Sequence, residues 1–534
     1  MKKMVALLLC GALSLSVLTG CGSSGAASSS DASGGTTEQV ASTLPESKSA
    51  EGTVTIGYVG GDYACYPSSN SSDDFVKQGM VYDKLFEVDD TTGEYKSRIL
   101  DSYEWTDDQT LVMTLKDGIY FSDGCQMTAE DVLFSIHNYI DQGESTDKYS
   151  YFKNIDFDKT SVSDDGMTLT LVYQAPYGPA ERTLNVSIMD KEFTEQHDNS
   201  DDIWYTAPVG SGPYEITANV KDSSVTFTKR DDYWDSAEYE YDADEITLKF
   251  YSDETAMFMD YQSGNLDALY GVGTTTASEV QDANGGLGTV QFISNNDVSF
   301  IILNEENEYL SDPVVREAIS QALDMDYITE VAYGILGTAA KSHFASTFEC
   351  YTEHDGYTYD VEAAKKTLED AGYSDGDITI KWVSPDSDPQ PAVGEAVQAL
   401  LQMIGINVEV ETYEFATALD MYLNGEADIM MMTVNGGNPT QEPYQSLSAF
   451  ASGAAFTCMS IEDPTYNSYL DEGLNNVDTD TRWAAYEQAD QWLYDNYNAL
   501  PICETLSAVV YNDRVASFDQ SAVGKGCLGS IKLK

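Results

Sequence analysis

Basic residues are scarce in this chain. Its 534 residues include 27 Lys and Arg against 90 Asp and Glu, a formal net charge of −63. A nucleic-acid binder needs a basic face for phosphates, so that class is excluded. Docking on anionic lipid through a polybasic patch is excluded for the same reason. The charge implies a strongly solvated surface, with a field that attracts cationic solutes. Histidine is rarer still. His137, His197, His343 and His354 are scattered, and no HExxH, HxH or GxSxG sequence occurs, which removes the common zinc- and serine-hydrolase signatures. His343 and His354 with Glu349 and Glu353 have no recognised ligand spacing, and no complete EF-hand loop is present, so neither a metal site nor a cofactor is expected. Carboxylate pairs such as Asp231-Asp232 are too common here to single out a glycosidase dyad. The cysteines include no CxxC pair, and hence no zinc or redox motif. Cys65, Cys125, Cys350, Cys458, Cys503 and Cys527 lie far apart, and spacing leaves their pairing open.

Long apolar runs are absent except at the start. Lys2 and Lys3 precede an apolar stretch over residues 5–18, too short and too early for a permanent membrane span. It ends in Leu18-Thr19-Gly20-Cys21, which looks like a bacterial lipobox. Residues 1–20 then form a lipoprotein signal peptide, and the Cys21 thiol accepts the lipid. Two acyl chains anchor stably where one is marginal. The expected location is the cell membrane, lipid-anchored on the extracellular face (the periplasmic side in a diderm cell). Residues 22–52 are rich in Ser, Gly, Ala and Thr and cannot bury a core, so a flexible tether is expected over residues 21–51, reaching roughly 30 Å.

The remaining length suits two to four lobes, since domains usually span about 100–200 residues. Val54, Ile56 and Tyr58 alternate in a first strand over residues 53–59. Residues 110–121 read as a hairpin, with Leu111, Met113 and Leu115 on one face, Asp117-Gly118 as the turn, and Ile119 and Phe121 following. Thr128-Ala-Glu-Asp131 is a capping box opening a helix with Leu133, Ile136 and Ile140 inward. Further strands are expected at 225–228 and 246–251. From Val298 strands and helices alternate. Strands fall at 299–303, 378–383, 406–410 and 429–434. Helices begin at Asp312-Pro313 (Val315, Ile319 and Ala322 inward), at Asp360 (stopping at Gly372), at Val393 (stopping at Gly405), at Phe415 and at Thr481 (Trp483, Tyr486 and Leu493 inward). This is the pattern of a wound α/β lobe.

Several segments, in order, resemble the extracellular solute-binding protein family 5, the oligopeptide, dipeptide and nickel-binding group. They are MTLKDGIYFSDGCQMTAEDVLFSIHNY (residues 113–139), Val209-Gly-Ser-Gly-Pro-Tyr214, Arg230-Asp-Asp-Tyr-Trp234, FIILNEENEYLSDPVVREAISQALDMDY (residues 300–327), and residues 359–373 and 405–428. The resemblance implies an α/β, periplasmic-binding-protein-like class II fold: two hinged lobes plus an inserted smaller domain. Lobe I would comprise residues 52–89, 208–297 and 507–534, the inserted domain 90–207, and the opposing lobe 298–506. It further implies a monomer that traps a small polar solute, such as a peptide, and delivers it to ABC permease and ATPase subunits without chemistry.

Two loops at strand ends are the candidate ligand contacts. The first is Gly60-Gly-Asp-Tyr-Ala-Cys65, giving Asp62, Tyr63 and Ala64. The second is Thr433-Val-Asn-Gly-Gly-Asn-Pro439, giving Thr433, Val434, Asn435, Gly436, Gly437 and Asn438. In peptide-binding relatives these places offer backbone hydrogen bonds to an extended ligand; as bare sequence they are ordinary turns. Many such relatives carry an Asp in the second loop for a peptide α-amine, where this chain has Gly437 and Asn438. That substitution keeps oligosaccharides, metal chelates and modified peptides open as alternatives. Tyr63, Tyr66 and Tyr177 are aromatic candidates for stacking on a ligand or for packing. A secreted hydrolase, or a receptor or adhesin on the same fold, are the competing classes.

Overall fold

A computed structural model of the chain describes residues 43–62, 64–67, 72–88, 95–141, 151–237, 240–434, 442–451, 463–518 and 528–534. The description below concerns these residues. In chain order the strands are β1 (Thr53–Val59), β2 (Glu87–Val88), β3 (Tyr95–Lys96), β4 (Leu100–Trp105), β5 (Thr110–Leu115), β6 (Ser161–Val162), β7 (Thr168–Val172), β8 (Tyr214–Val220), β9 (Ser224–Lys229) and β10 (Glu245–Tyr251). They continue with β11 (Ala268–Val272), β12 (Thr289–Leu303), β13 (Gly337–Ala339), β14 (Thr379–Pro385), β15 (Asn407–Tyr413), β16 (Ile429–Val434), β17 (Ala499–Tyr511), β18 (Val515–Phe518) and β19 (Ile531–Leu533).

Eleven strands form one sheet in the order β15-β14-β16-β12-β17-β11-β1-β10-β9-β8, with β13 paired to β17. Each end of the sheet is wound. β1 lies between β10 and β11, parallel to both, so both of its edges are paired, and Val54 and Ile56 are buried in the core beneath it. At the other end β14 is parallel to β15 and β16, linked by helices Gln390–Gln402 and Phe415–Leu423. β12 and β17 join the two ends. Their antiparallel pairing runs from Thr289↔Tyr511 to Ile302↔Ala499, and the register shifts between Ser294 and Val298 and again between Ser299 and Phe300.

A separate sheet, β4-β5-β7-β6, packs under helix Ala129–Asp141. Here one expectation is corrected. The hairpin is β4–β5, not β5 with residues 119–121. Both edges of β5 are occupied, by β4 and β7, so the chain after Gly118 must leave the sheet, and Tyr120 bridges to Gln126. The helix buries Ile136 with Val132 and Tyr139, and Leu133 and Ile140, half-buried, pack against the same core as expected. The capping box exists in part: the Asp131 carboxylate accepts from the Thr128 N–H (2.8 Å) and hydroxyl (2.7 Å).

The expected strands and helices after Val298 are present, with ends shifted by a few residues. Asp312 and Asp360 accept from the N–H groups of Val314 and Ala363. Gly372 and Gly405 take positive φ. Helix Thr479–Asn496 buries Tyr486 and Leu493 and leaves Trp483 half-buried. β17, with thirteen residues, was not expected from the sequence.

The glycine turn and the Asp-Tyr-Trp segment meet. Arg230 donates to the carbonyls of Gly210 and Gly212, both at 3.2 Å. A Cβ on Gly210 would collide with the Val81 carbonyl. Tyr233 and Trp234 both donate to the buried Asp83 carboxylate, at 3.0 and 2.8 Å. These motifs therefore fasten the chain to itself.

The last part of the expected tether is also fastened. The Asp267 side chain is fully buried. It accepts from the hydroxyls of Ser47 (2.6 Å) and Ser49 (2.5 Å), the Thr55 N–H (3.0 Å), Asn512 (3.1 Å) and Arg514 (2.9 Å). Leu44 and Lys48 donate backbone N–H groups to Gly286 and Gly264. Ser-rich composition suggested freedom over residues 43–52, but those hydroxyls are donors to one carboxylate.

Burial drives the Asp267 carboxyl upward, yet the bonds from Ser47, Ser49, Thr55 and Asn512 outweigh it and hold the group below its ordinary range. The stabilisation is therefore complete above the unfolded-chain value, about 3.9, and is lost as pH falls through the folded value. Asp267→Ala is expected to cost about 3 kcal/mol at neutral pH. Urea melts should show the gap between variant and wild type narrowing below about pH 4.

Candidate functional site

The sheet register brings the two candidate loops to one level. Near the end of β1, Tyr58 aligns with Tyr270, Tyr270 with Val509, and Val509 with Gln291 of β12. At the end of β16, Val434 aligns with Val298 of β12. β1 runs in the direction of β12 and β16 runs against it. The carboxyl ends of β1 and β16 therefore point toward each other, across the stretch of β12 between Phe292 and Asp297. Backbone groups at carboxyl ends of parallel strands are free for ligands.

That stretch contains the register break, and it is polar. Asn296 takes φ 58 and is buried. Its side-chain oxygen accepts from the Thr347 hydroxyl. Ser294 donates to Glu504 at 3.0 Å, and the same carboxylate accepts from the Ser346 hydroxyl (2.9 Å) and N–H (3.0 Å). Asn295 donates to Thr505 at 3.0 Å. The strands are thus joined here by side chains where the backbone ladder is interrupted.

In the first loop, Gly60 donates its N–H to Tyr251 (3.2 Å) and Cys65 to Trp204 (2.8 Å). Between them the Asp62 side chain turns inward, 1% exposed, against Lys77, 2% exposed, at 2.8 Å. Asn219 donates to the same Asp62 oxygen at 3.2 Å, and Lys77 also lies over the Phe250 ring. Asp62 therefore anchors the loop from within, and Ala64 is half-buried beside it. Tyr63 lies outside the described residues.

Tyr66 and Tyr177 turn to packing. Tyr66 sits edge-on to Trp204, with ring centroids 4.8 Å apart, and exchanges hydrogen bonds with Asn138. Tyr177 is 6% exposed and packs on Tyr173. Burial, and then Glu442, push its phenol well above the ordinary range. Gly178, next in sequence, donates its N–H to Leu474 at 2.8 Å. A Cβ there would collide with the Asn476 carbonyl, which is why glycine occupies this crossing. Glu442 receives both bonds of its buried partner Arg482 at 2.7 Å, and the Tyr486 hydroxyl at 3.1 Å.

In the second loop Thr433 is exposed at the end of β16 and shares a 2.9 Å hydrogen bond with Ser299. Val434 is placed by its backbone pairing alone. Asn435, Gly436, Gly437 and Asn438 lie outside the described residues, as does Cys21.

Two of the four histidines form a cluster that sequence reasoning missed. His343 and His354 do not join Glu349 and Glu353; both bind the buried carboxylate of Asp490, at 2.6 and 2.7 Å. The other His343 ring nitrogen faces the Ala499 carbonyl at 2.9 Å. Burial raises the Asp490 carboxyl, but the two imidazoles outweigh this and hold it well below the usual range. Glu353 pairs instead with Lys341. Asp123, Cys125 and Asp190 also lie within 4.8 Å of one another; Asp190 is already the N-cap acceptor for Phe193. No described helix is long and apolar enough to cross a membrane.

The profile of bacterial extracellular solute-binding proteins, family 5 Middle, matches residues 94–457. Heme-binding protein A of Haemophilus influenzae is 24% identical over 473 residues, covering 83% of this chain and 85% of its own. The dipeptide-binding protein of Escherichia coli is 23% identical over 490 residues, covering 85% and 89%. The structure of HbpA2 from Haemophilus parasuis superposes with a TM-score of 0.79 at 21% identity, covering 90% of this chain and 100% of its own.

Either substitution strands a buried charge, on Asp62 when Lys77 is lost and on Lys77 when Asp62 is lost. Lys77→Met and Asp62→Asn should therefore each destabilise by about 3–5 kcal/mol. Chemical denaturation of the two variants checks this.

Proposed function

The chain belongs to the bacterial extracellular solute-binding proteins of family 5, and on that premise we propose that it is the lipid-anchored capture subunit of an ABC importer for peptides or similar polar solutes. The observation that carries this reading is the convergence of β1 and β16 on the broken register of β12 and β17. Among the described residues β12 and β17 join the two wound ends of the sheet, and the strand ends facing one another at that joint support the reading of a trap. Closure around a solute would hide it and create a surface that a permease can distinguish.

In this reading the β1 loop around Asp62, Tyr63 and Ala64 and the β16 loop from Thr433 to Asn438 bind the solute. Residues 52–89, 208–297 and 507–534 form one lobe, 298–506 the other, and 90–207 the inserted domain. The protein works as a monomer on the outer face of the membrane, tethered by lipidated Cys21. Buried Asp62 is neutralised by Lys77, and the β16 loop has no acidic residue at Gly437-Asn438, so backbone groups rather than a dedicated charge select the solute. That favours broad recognition of extended polar ligands over a tight requirement for a free amine.

Incubated with a synthetic library of di- to pentapeptides, the purified protein should melt at a higher temperature and release the bound peptides intact for mass spectrometry. Fragments appearing with multiple turnovers would defeat the reading. Cys21→Ser should move the protein from the membrane fraction to the medium or periplasm; unchanged membrane retention would refute the anchor.

A further inference from the structure

Arg182 connects two cores that are distant in sequence. It lies in the short helix Ala180–Thr183, within the core built from residues 85–189. Its side chain is 7% exposed and donates to Glu349 at 2.6 Å. The guanidinium carbon lies 4.3 Å from the Tyr95 ring centroid on its own side and 4.8 Å from that of Trp483 on the other. Trp483 packs with the core built from residues 298–499. Four residues earlier, Gly178 meets Leu474 backbone to backbone. A planar cation held between two rings and pointed at a carboxylate is a directional contact, which lysine would not reproduce.

Glu349 is in turn held by a segment tied to the strand joint. Over residues 342–354, Ser342, His343 and His354 all bind Asp490. Between those anchors Ser346 binds Glu504 and Thr347 binds Asn296. Glu504 and Asn296 belong to the register break of β12 and β17. The stretch from Thr347 to Glu349 is two residues long, so a change at the joint must reach the carboxylate that Arg182 grips.

We propose that Arg182 and Glu349 are the clasp that holds the two sides together over the solute, and that residues 342–354 make its engagement depend on the bend of β12 and β17. This rests on the hinged-trap reading and adds its positioning residues. In this role Arg182 sets how long the closed form lasts.

The test reads closure without any solute. Dyes are placed at exposed Lys159 and Lys366 through unnatural amino acids, and the distance distribution of the full-length chain is followed by single-molecule energy transfer. Glu349→Gln and Arg182→Ala should each lower the closed-to-open ratio about tenfold, the scale of one charge-assisted contact. Arg182→Lys, which keeps the charge but not the planar fork against the rings, should recover only a minor part of that loss. Glu504→Gln should open the chain as well, and adding Glu349→Gln to it should change little further. Glu349 is 31% exposed, so its amide variant keeps the fold, which a cooperative melt verifies. Distributions unchanged from wild type, an Arg182→Lys chain as closed as wild type, or additive Glu504 and Glu349 effects would each overturn the proposal. Intact peptide capture alongside such a failure would leave the transport reading standing; a working clasp with no solute bound would do the opposite.

Discussion

Everything in this fold depends on how β12 and β17 pair. Among the described strands these two join one wound end of the great sheet to the other. A continuous ladder of backbone hydrogen bonds would make the sheet a single stiff plate. The shifts between Ser294 and Phe300 interrupt it, and Asn296 adopts a left-handed turn there. Side chains of Ser294, Asn295, Ser346 and Glu504 replace the missing bonds. Such bonds can re-form at another angle, whereas a ladder cannot. The interrupted stretch also lies between the facing carboxyl ends of β1 and β16, so the register break and the candidate site coincide.

The acidic composition divides into two populations. Among the described residues most acidic side chains are exposed or half-buried. A few are buried and act as fasteners: Asp83 for Tyr233 and Trp234, Asp267 for the incoming chain, Asp490 for two histidines, and Glu442 for Arg482. A buried carboxylate is tolerable only when donors surround it. With so few cations available, the chain uses hydroxyls, indole, phenol, imidazole and backbone N–H groups as those donors. This explains why its family-like motifs contain Tyr, Trp and Gly beside Asp.

Much of the fold was legible because its signals are local. Asp312-Pro313, Asp360 and the glycines at 372 and 405 mark helix ends through cap chemistry that needs no tertiary partner. β1 and β16 carry apolar patterns of buried strands. What stayed hidden depended on distant partners. β17 shows no alternation because both its faces are buried over much of its length. Residues 119–121 looked like a hairpin arm until β4 and β7 claimed both edges of β5. The Ser-rich entry segment looked free because Asp267 lies more than two hundred residues away. In the candidate site, the loops were legible as strand-end turns. The inward turn of Asp62 was not, since Lys77 sits on a helix of undistinguished sequence. Tyr177 illustrates the same limit: its residue type suits stacking on a ligand, and only the packing against Tyr173 shows where the ring goes.

A trap must keep its open and closed forms close in free energy, so that a solute decides between them. The chemistry of the contact between the sequence-distant cores fits that demand. It includes an ion pair with a 31% exposed carboxylate, a cation over an indole and a single backbone bond from Gly178 to Leu474. Water can replace each of these partners at a net cost of about 1 kcal/mol. A large apolar contact would cost far more to separate, because every exposed Å² carries about 25 cal/mol. Inside each half the opposite choice prevails: Trp382, Ile380, Val393 and Leu401 on one side, and Val54, Ile56, Phe227 and Leu248 on the other, are all buried to 1% or less. Apolar cores thus hold each part together, while the contact between residues 178–182 and the core of residues 298–499 includes polar partners that water can replace.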